Sequence, residues 1–244
     1  MTRAGNRRIL ALWSAPRSRS TAFLRMIVER GDFEVLHEPF SGLADFGQAV
    51  VAGTTVVTEH DLIAAIRSRA GHGPVFFKDT TDFHYPGLLA DDEFLREATH
   101  TFLIRDPAEV IASHYALNPD VRLEDIGFGR LSEIYDAVAA QTGEPPVLIT
   151  AEDLVERPAE TVRAYCDAIG IPFVASALAW RPGVLNEWRS AQRWHESTSR
   201  TNGFTGTRAS YPDTVTNNPV LAGFLEHHRP YYEKLRQRAL PVPG

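Results

Sequence analysis

An apolar run, Ile9–Trp13, stops at the polar turn Ser14–Ser20, and a helical pattern runs from Thr21 to Arg30. Ala22, Leu24, Met26, Ile27 and Val28 supply the apolar face of that helix. A strand, a tight turn and a helix N-terminus in that order make an anion site. The first N–H groups of a helix have no internal partner, and its dipole is positive there. The turn adds Arg17 and Arg19 as fixed charges and Ser18, Ser20 and Thr21 as hydroxyl donors, with no acidic residue among them. This is the composition of a phosphate or sulfate cradle. It is not a Walker A loop, because GxxxxGK[ST] is absent and the turn holds no lysine.

The rest of the chain alternates strand and helix, which implies a mostly parallel central sheet covered on both faces, a three-layer α/β sandwich. Strands are expected at Phe33–Leu36, Val75–Lys78, Thr101–Ile104 and Val147–Thr150. Helices are expected from Thr58, a cap, to Ala70, over Asp91–Ala98, from Pro107 to about Ala116, over Leu131–Gln141 and over Pro158–Ile169. Gly42, Gly47 and Gly53 read as a loose connection, and Gly170 as a C-cap. Beyond Pro172 the periodicity fades until a closing helix over Pro219–Ala239.

At 244 residues and 43% apolar content, one large α/β domain is comfortable. A net charge of −6 argues against a nucleic-acid partner, so the basic residues in the turns are local tools. The single Cys166 excludes an internal disulfide and reads as a small core residue. No apolar stretch approaches a membrane span and the basic start lacks a cleavage site, so no membrane partner and a cytoplasmic location are expected.

In an open parallel sheet, ligands bind beyond the carboxyl ends of the strands. Four polar groups fall there: the anion turn, then Glu38, then Lys78-Asp79, then Arg105-Asp106. Arg105 either pairs with Asp106 or Glu109 or, with Ser113 two helical turns on, presents a cation and a hydroxyl to a second anion. Lys78 is either a strand-end lysine in water or a mobile charge beside the anion turn. Glu38 is a loop carboxylate in an ion pair, or a base that neighbouring cations keep ionised. His37 competes for that role, but strand alternation is expected to turn it away from Glu38.

These motifs resemble those of sulfotransferases that use 3′-phosphoadenosine 5′-phosphosulfate (PAPS), in particular small bacterial members with a P-loop-like fold. Pro16-Arg17-Ser18-Arg19-Ser20-Thr21 is similar to their Pro-[Arg/Lys]-Ser-Gly-Thr-Thr loop, with Arg19 in place of the glycine. Phe102–Pro107 with Ser113 matches their strand ending in Arg with a Ser eight residues later, and Glu38-Pro39 their Glu-Pro pair. The resemblance covers roughly Arg8–Tyr115. It implies that Arg17, Ser18, Arg19, Ser20 and Thr21 hold the phosphosulfate and that Arg105 and Ser113 hold the 3′-phosphate. It further implies that Glu38 is the base, that Lys78 stabilises the leaving oxygen and that no metal is needed. A single domain over 1–244 follows, with a core over 1–180 and a segment over 181–244 that covers donor and acceptor. The late Arg-Lys-Gly segment of many members is missing, and Arg200-Thr201-Asn202-Gly203 stands as a substitute.

Two other readings remain: a P-loop kinase or nucleotide hydrolase, and a non-catalytic protein that binds a bisphosphorylated nucleotide. The acceptor, a small molecule, is not identified by the sequence. Asp79, Asp82 and His84 are candidates to recognise its amine or hydroxyl, and His195 beside Trp194 is a candidate to border its pocket. Oligomeric state is open, and a homodimer is compatible with the chain.

Overall fold

The computed structural model describes residues 8–183, 199–204 and 209–243. In chain order the elements are β1 (Ile9–Ser14), α1 (Ser20–Arg30), β2 (Glu34–His37), α2 (Pro39–Phe46), β3 (Ala49–Val51), β4 (Thr54–Val56) and α3 (Glu59–Ala70). Next come β5 (Val75–Thr80), α4 (Pro86–Ala90), α5 (Asp92–Glu97), β6 (Thr99–Ile104) and α6 (Pro107–Tyr115). The chain ends with α7 (Phe128–Thr142), β7 (Val147–Thr150), α8 (Ala151–Glu156), α9 (Pro158–Ile169) and, among the described residues, α10 (Pro219–Arg236).

Five strands form one parallel sheet in the order β2–β5–β1–β6–β7. Side chains alternate across it, and the apolar content divides accordingly. Ile9, Ala11, Trp13, Phe77, Phe102 and Ile104 face one core with α2, α3, α5, α7 and α10. Leu10, Leu12, Phe76, Leu103 and Ile149 face the other with α1 and α9. A strand buried on both faces reads as a continuous apolar run, as these do.

The sequence and the structure differ between Glu38 and Val57. The glycines there do not mark a loose connection. Pro39 at the first helical position and the buried Phe40 and Leu43 start α2, and Gly47, left-handed at φ 69°, ends it. Ala52 and Gly53, at φ 50° and 82°, then form the two-residue turn of the β3–β4 hairpin. Strand β5 also extends to Thr80, so Lys78 and Asp79 lie within it rather than after it. Helices α4 and α8 were not expected. Thr58 caps α3 by accepting from the Asp61 N–H, and Cys166 is buried and free, both as expected.

Candidate active site

Helix α1 leaves β1 on one face of the sheet, and α6 leaves its neighbour β6 on the other. That reversal opens a crevice at the carboxyl ends of β1 and β6, where an open α/β sheet takes its ligands. The anion turn lies on one side of it and Arg105 on the other.

The turn takes an unusual backbone. Arg17 and Arg19 are left-handed, at φ 64° and 67°, and Ser18 between them is not. Alternation of hand turns successive N–H groups to one side, the geometry of an anion nest. Arg19 is the N-cap of α1, which begins at Ser20, and its side chain makes no cap hydrogen bond. The hydroxyls of Ser14 and Ser18 are buried without a hydrogen-bond partner. A buried hydroxyl left unpaired costs about 1–3 kcal/mol, which an oxyanion accepting from it would offset. Ser20 and Thr21 are buried in the first turn of α1.

Arg105 reaches back to this turn. One guanidinium nitrogen donates to the Arg17 carbonyl at 3.0 Å, and another pairs with Glu109 at 3.0 Å. Of the sequence alternatives for Arg105, the pair with Glu109 is realised, and the same guanidinium also bonds the turn. The Arg17 Nε donates to the Ser113 hydroxyl at 3.1 Å, so Arg17 links Arg105 and Ser113. Arg105 and Ser113 are 8% and 2% exposed, which removes them from the class of solvated loop ends. Burial lowers the proton affinity of Arg17 and Arg19, and the charge of Arg105 lowers each further. The three guanidiniums share one space.

At the ends of β2 and β5 stands the second half of the site. Lys78 is 1% exposed, and its ammonium contacts the Glu38 carboxylate, so the solvated alternative does not hold. Arg17 also feels the Glu38 charge, which joins the two halves. The expectation that His37 faces away from Glu38 is corrected. β2 ends at His37, Glu38 is left-handed at φ 49°, and His37 Nδ1 lies 3.8 Å from Glu38 Oε2. Alternation does not extend past the end of a strand. Burial pulls His37 down to about 4, so it is neutral at pH 7 and a weak proton acceptor.

The residue that sequence reasoning misread is Asp79. Its carboxylate accepts from the Phe40 N–H at 2.6 Å, the Ser41 N–H at 3.0 Å and the Ser41 hydroxyl at 2.5 Å. Asp79 thus caps α2 from a different strand and fixes the backbone just after Glu38. With these donors, its own neighbour Thr80 N–H and no exposed surface, its carboxylate is committed to the backbone around α2. Burial pushes its carboxyl up to about 7, against the Ser41 hydrogen bond and helped by the Glu38 charge. The Ser41 hydroxyl also meets the Tyr85 hydroxyl at 2.9 Å. A helix cap from 39 residues away leaves no local sequence signal. Asp82, which accepts from the Thr80 hydroxyl at 2.8 Å, is raised to about 6 by burial and then by Glu38. His84 pairs with Glu133 at 3.4 Å on the surface.

Gly127 closes the floor. At φ 83° its carbonyl accepts from the Thr81 hydroxyl at 2.9 Å, and a Cβ there would lie 2.6 Å from the Thr81 carbonyl oxygen. Thr81 in turn donates its N–H to Ser14 at 3.1 Å. Of the late candidates, Thr201 and Asn202 bond Trp180, and Gly203 bridges Ala179. His195 and Trp194 lie outside the described residues. Among the described residues no group of three His, Cys, Asp or Glu is placed to hold a metal ion, and no helix is long and apolar enough to cross a membrane.

The family model described as "Sulfotransferase domain" matches residues 7–239. Two curated Arabidopsis thaliana proteins are similar, branched-chain-amino-acid aminotransferase-like proteins 2 and 1. The first is 31% identical over 93% of this chain and 41% of its own length. The second is 28% identical over 97% of this chain and 45% of its own length. The chain therefore spans less than half the length of these relatives. Among solved structures, the sulfotransferase domain of the Synechococcus PCC 7002 olefin synthase has 16% identity and a TM-score of 0.44, covering 91% of this chain and 94% of that one. Retinol dehydratase in complex with androsterone and the inactive cofactor PAP has 10% identity and a TM-score of 0.45, covering 98% and 84%.

Proposed function

This chain belongs to the sulfotransferase domain family, and on that premise we propose that it moves the sulfuryl group of PAPS to a hydroxyl or amine of a small-molecule acceptor. The observation that carries the reading is the union of the two halves of the site. A turn with two guanidiniums and two unpartnered buried hydroxyls, with the Arg105 guanidinium bonded against it, suits a polyanionic donor, and a buried Lys78–Glu38 pair stands beside it.

In this scheme the turn, from Arg17 to Thr21, holds the 5′-phosphosulfate, and Arg105 with Ser113 holds the 3′-phosphate. Glu38 takes the proton of the acceptor as its oxygen or nitrogen bonds to sulfur. The bond from sulfur to the phosphate oxygen breaks in line, and its electron pair stays on that oxygen. Lys78 and Arg17 meet the charge that develops there. Lys78, held by Glu38 before the reaction, is released toward the leaving oxygen as Glu38 becomes neutral. The transferred group already carries distributed charge, so positioning and electrostatics supply most of the acceleration.

Calorimetric titration with 3′-phosphoadenosine 5′-phosphate (PAP) and with ADP, without metal, tests the donor site in the wild type and in Arg105→Ala. Micromolar binding of PAP, weak binding of ADP and loss in the variant are expected. Equal affinity for both nucleotides, or a strict Mg²⁺ requirement, would pass the site to a nucleotide kinase or hydrolase. Sulfuryl transfer from PAPS across a panel of phenols, alcohols and amines then separates an enzyme from a binding protein.

A further inference from the structure

Glu38 holds the N-cap position of α2, yet its side chain makes no cap hydrogen bond. The first N–H groups of a helix have no partner inside it, and an N-cap side chain that accepts from them is the usual remedy. Other helices of this chain use it. Thr58, Asp91, Thr150 and Asn218 each accept from an N–H of the helix they begin, α3, α5, α8 and α10. At α2 the task passes to Asp79, which lies in β5 and is fully buried. Its Oδ2 accepts from the Phe40 N–H at 2.6 Å, and its Oδ1 from the Ser41 N–H at 3.0 Å and the Ser41 hydroxyl at 2.5 Å. Phe40 and Ser41 are the second and third residues of α2, the positions that an N-cap side chain serves. The Glu38 carboxylate is left to contact the Lys78 ammonium in the crevice.

Two consecutive residues of β5 thus act on Glu38 from different directions. Lys78 meets its carboxylate, and the Lys78 carbonyl accepts from the Glu38 N–H at 2.7 Å. Asp79 holds the amides that follow Glu38, and the Glu38 carbonyl accepts from the Gly42 N–H at 2.8 Å. The left-handed backbone of Glu38, at φ 49°, is therefore held on both sides. The Ser41 hydroxyl also meets Thr80 Oγ1 at 3.1 Å and Tyr85 at 2.9 Å, which ties the first turn of α2 to the end of β5. Without the Asp79 carboxylate, the Phe40 and Ser41 N–H groups lose their acceptor, and the carboxylate nearest to them in the chain is that of Glu38. A Glu38 side chain drawn back onto its own helix leaves the crevice.

We propose that Asp79 is a positioning residue for sulfuryl transfer: by capping α2 in place of Glu38, it frees the Glu38 carboxylate to serve as the base. The inference rests on the reading given above, in which Glu38 takes the proton of the acceptor, and it requires no contact of Asp79 with donor or acceptor.

The test measures sulfuryl transfer from PAPS, and PAP binding by calorimetry, in Asp79→Asn and Asp79→Ala, each alone and combined with Glu38→Gln. Asparagine keeps the volume and one acceptor oxygen, so it carries the test if the alanine variant does not fold. With Glu38 present, both variants are expected to lose about 10- to 100-fold in kcat, the scale for a misplaced catalytic group, with the acceptor KM and the Kd for PAP within about threefold of wild type. In the Glu38→Gln background the same substitutions are expected to change kcat by less than about threefold, since no base is left to misplace. An equal proportional loss in both backgrounds would make Asp79 a structural residue only and overturn the inference. Unchanged kcat in the Asp79 variants, or a loss of PAP affinity that matches the loss of kcat, would overturn it as well. A wild-type chain that binds PAP but transfers to no acceptor, or a fully active Glu38→Gln, would instead overturn the reading of Glu38 as the base, and this inference with it.

Discussion

If Arg19 is kept for a ligand, the empty protein is more stable without it. The left-handed conformation costs a residue with a Cβ about 1–2 kcal/mol, and glycine nothing. Glycine gives back about 0.4–1 kcal/mol through the greater freedom of its unfolded chain. Arg19→Gly is therefore expected to be more stable than Arg19→Ala by about 0.5–1 kcal/mol, because both remove the charge and only one removes the strain at φ 67°. For a chain of 244 residues that is a rise in Tm of roughly 2 °C. Unfolding should be followed in urea, since guanidinium competes with the arginines, and in a buffer free of phosphate and sulfate. PAP then reverses the order. At a hundred times the wild-type Kd it stabilises the wild type by about 2.7 kcal/mol. A variant that binds about 30-fold more weakly gains only about 0.9 kcal/mol at the same concentration. The wild type overtakes Arg19→Gly on addition of PAP by more than the strain difference. An Arg19→Gly protein no more stable than Arg19→Ala, or a stability order that PAP leaves unchanged, would refute the argument.

Gly127→Ala is expected to lose about 2–3 kcal/mol in urea unfolding, since the new Cβ meets the Thr81 carbonyl oxygen at 2.6 Å and the backbone is left-handed. Glu38→Gln is expected to lower sulfuryl transfer at least 100-fold, as removal of a general base does, with PAP affinity by calorimetry unchanged; full activity would remove Glu38 from that role. Asp79→Asn puts an amide against the Phe40 N–H or the Ser41 donors and should cost about 1–3 kcal/mol, with Ser41→Ala costing less. Stability should fall as pH drops from 7 to 5. Burial lowers His37, His100, His114 and His228 to about 4 against 6.5 when unfolded, so their contribution is present above 6.5 and lost toward 4. Asp79 and Asp82, raised by burial to about 7 and 6 against 3.8, contribute the opposite way, with stability present below about 4 and lost as pH rises through 6 and 7. Near pH 5, unfolding takes up as many as four protons on these histidines and releases as many as two from the aspartates. Urea midpoints that stay level or rise on acidification would contradict this.

What could be read from the sequence was whatever depends on near neighbours in the chain. Continuous apolar runs marked the buried strands, because burial on two faces selects an apolar side chain at nearly every position. The eight-residue spacing of Arg105 and Ser113 was legible because Arg105 lies just before α6, the helix that carries Ser113. The Asp79 cap on α2 was not, since its partners are 38 and 39 residues earlier and no local pattern couples them. For the same reason α2 and its hairpin looked like loop: Gly42, Gly47 and Gly53 are turn signals by composition, and only the burial of Phe40 and Leu43 against the sheet overrides them. The backbone of the site was hidden too. Arginine and glutamate give no warning of a left-handed conformation, which composition associates with glycine and asparagine.

That hidden feature carries functional weight. Among the described residues, four with a Cβ are left-handed: Arg17, Arg19, Glu38 and Ala52. Ala52 is accounted for by the hairpin turn it shares with Gly53. The other three lie at the carboxyl ends of β1 and β2, where the chain turns into α1 and α2. Each could relax if replaced by glycine, at a gain to the empty fold. Each instead carries a long charged side chain at the mouth of one crevice, two cations from the turn and one carboxylate that contacts Lys78. Strain confined to the residues that would handle the donor and the acceptor proton is the arrangement expected where binding, rather than folding, has set the side chain.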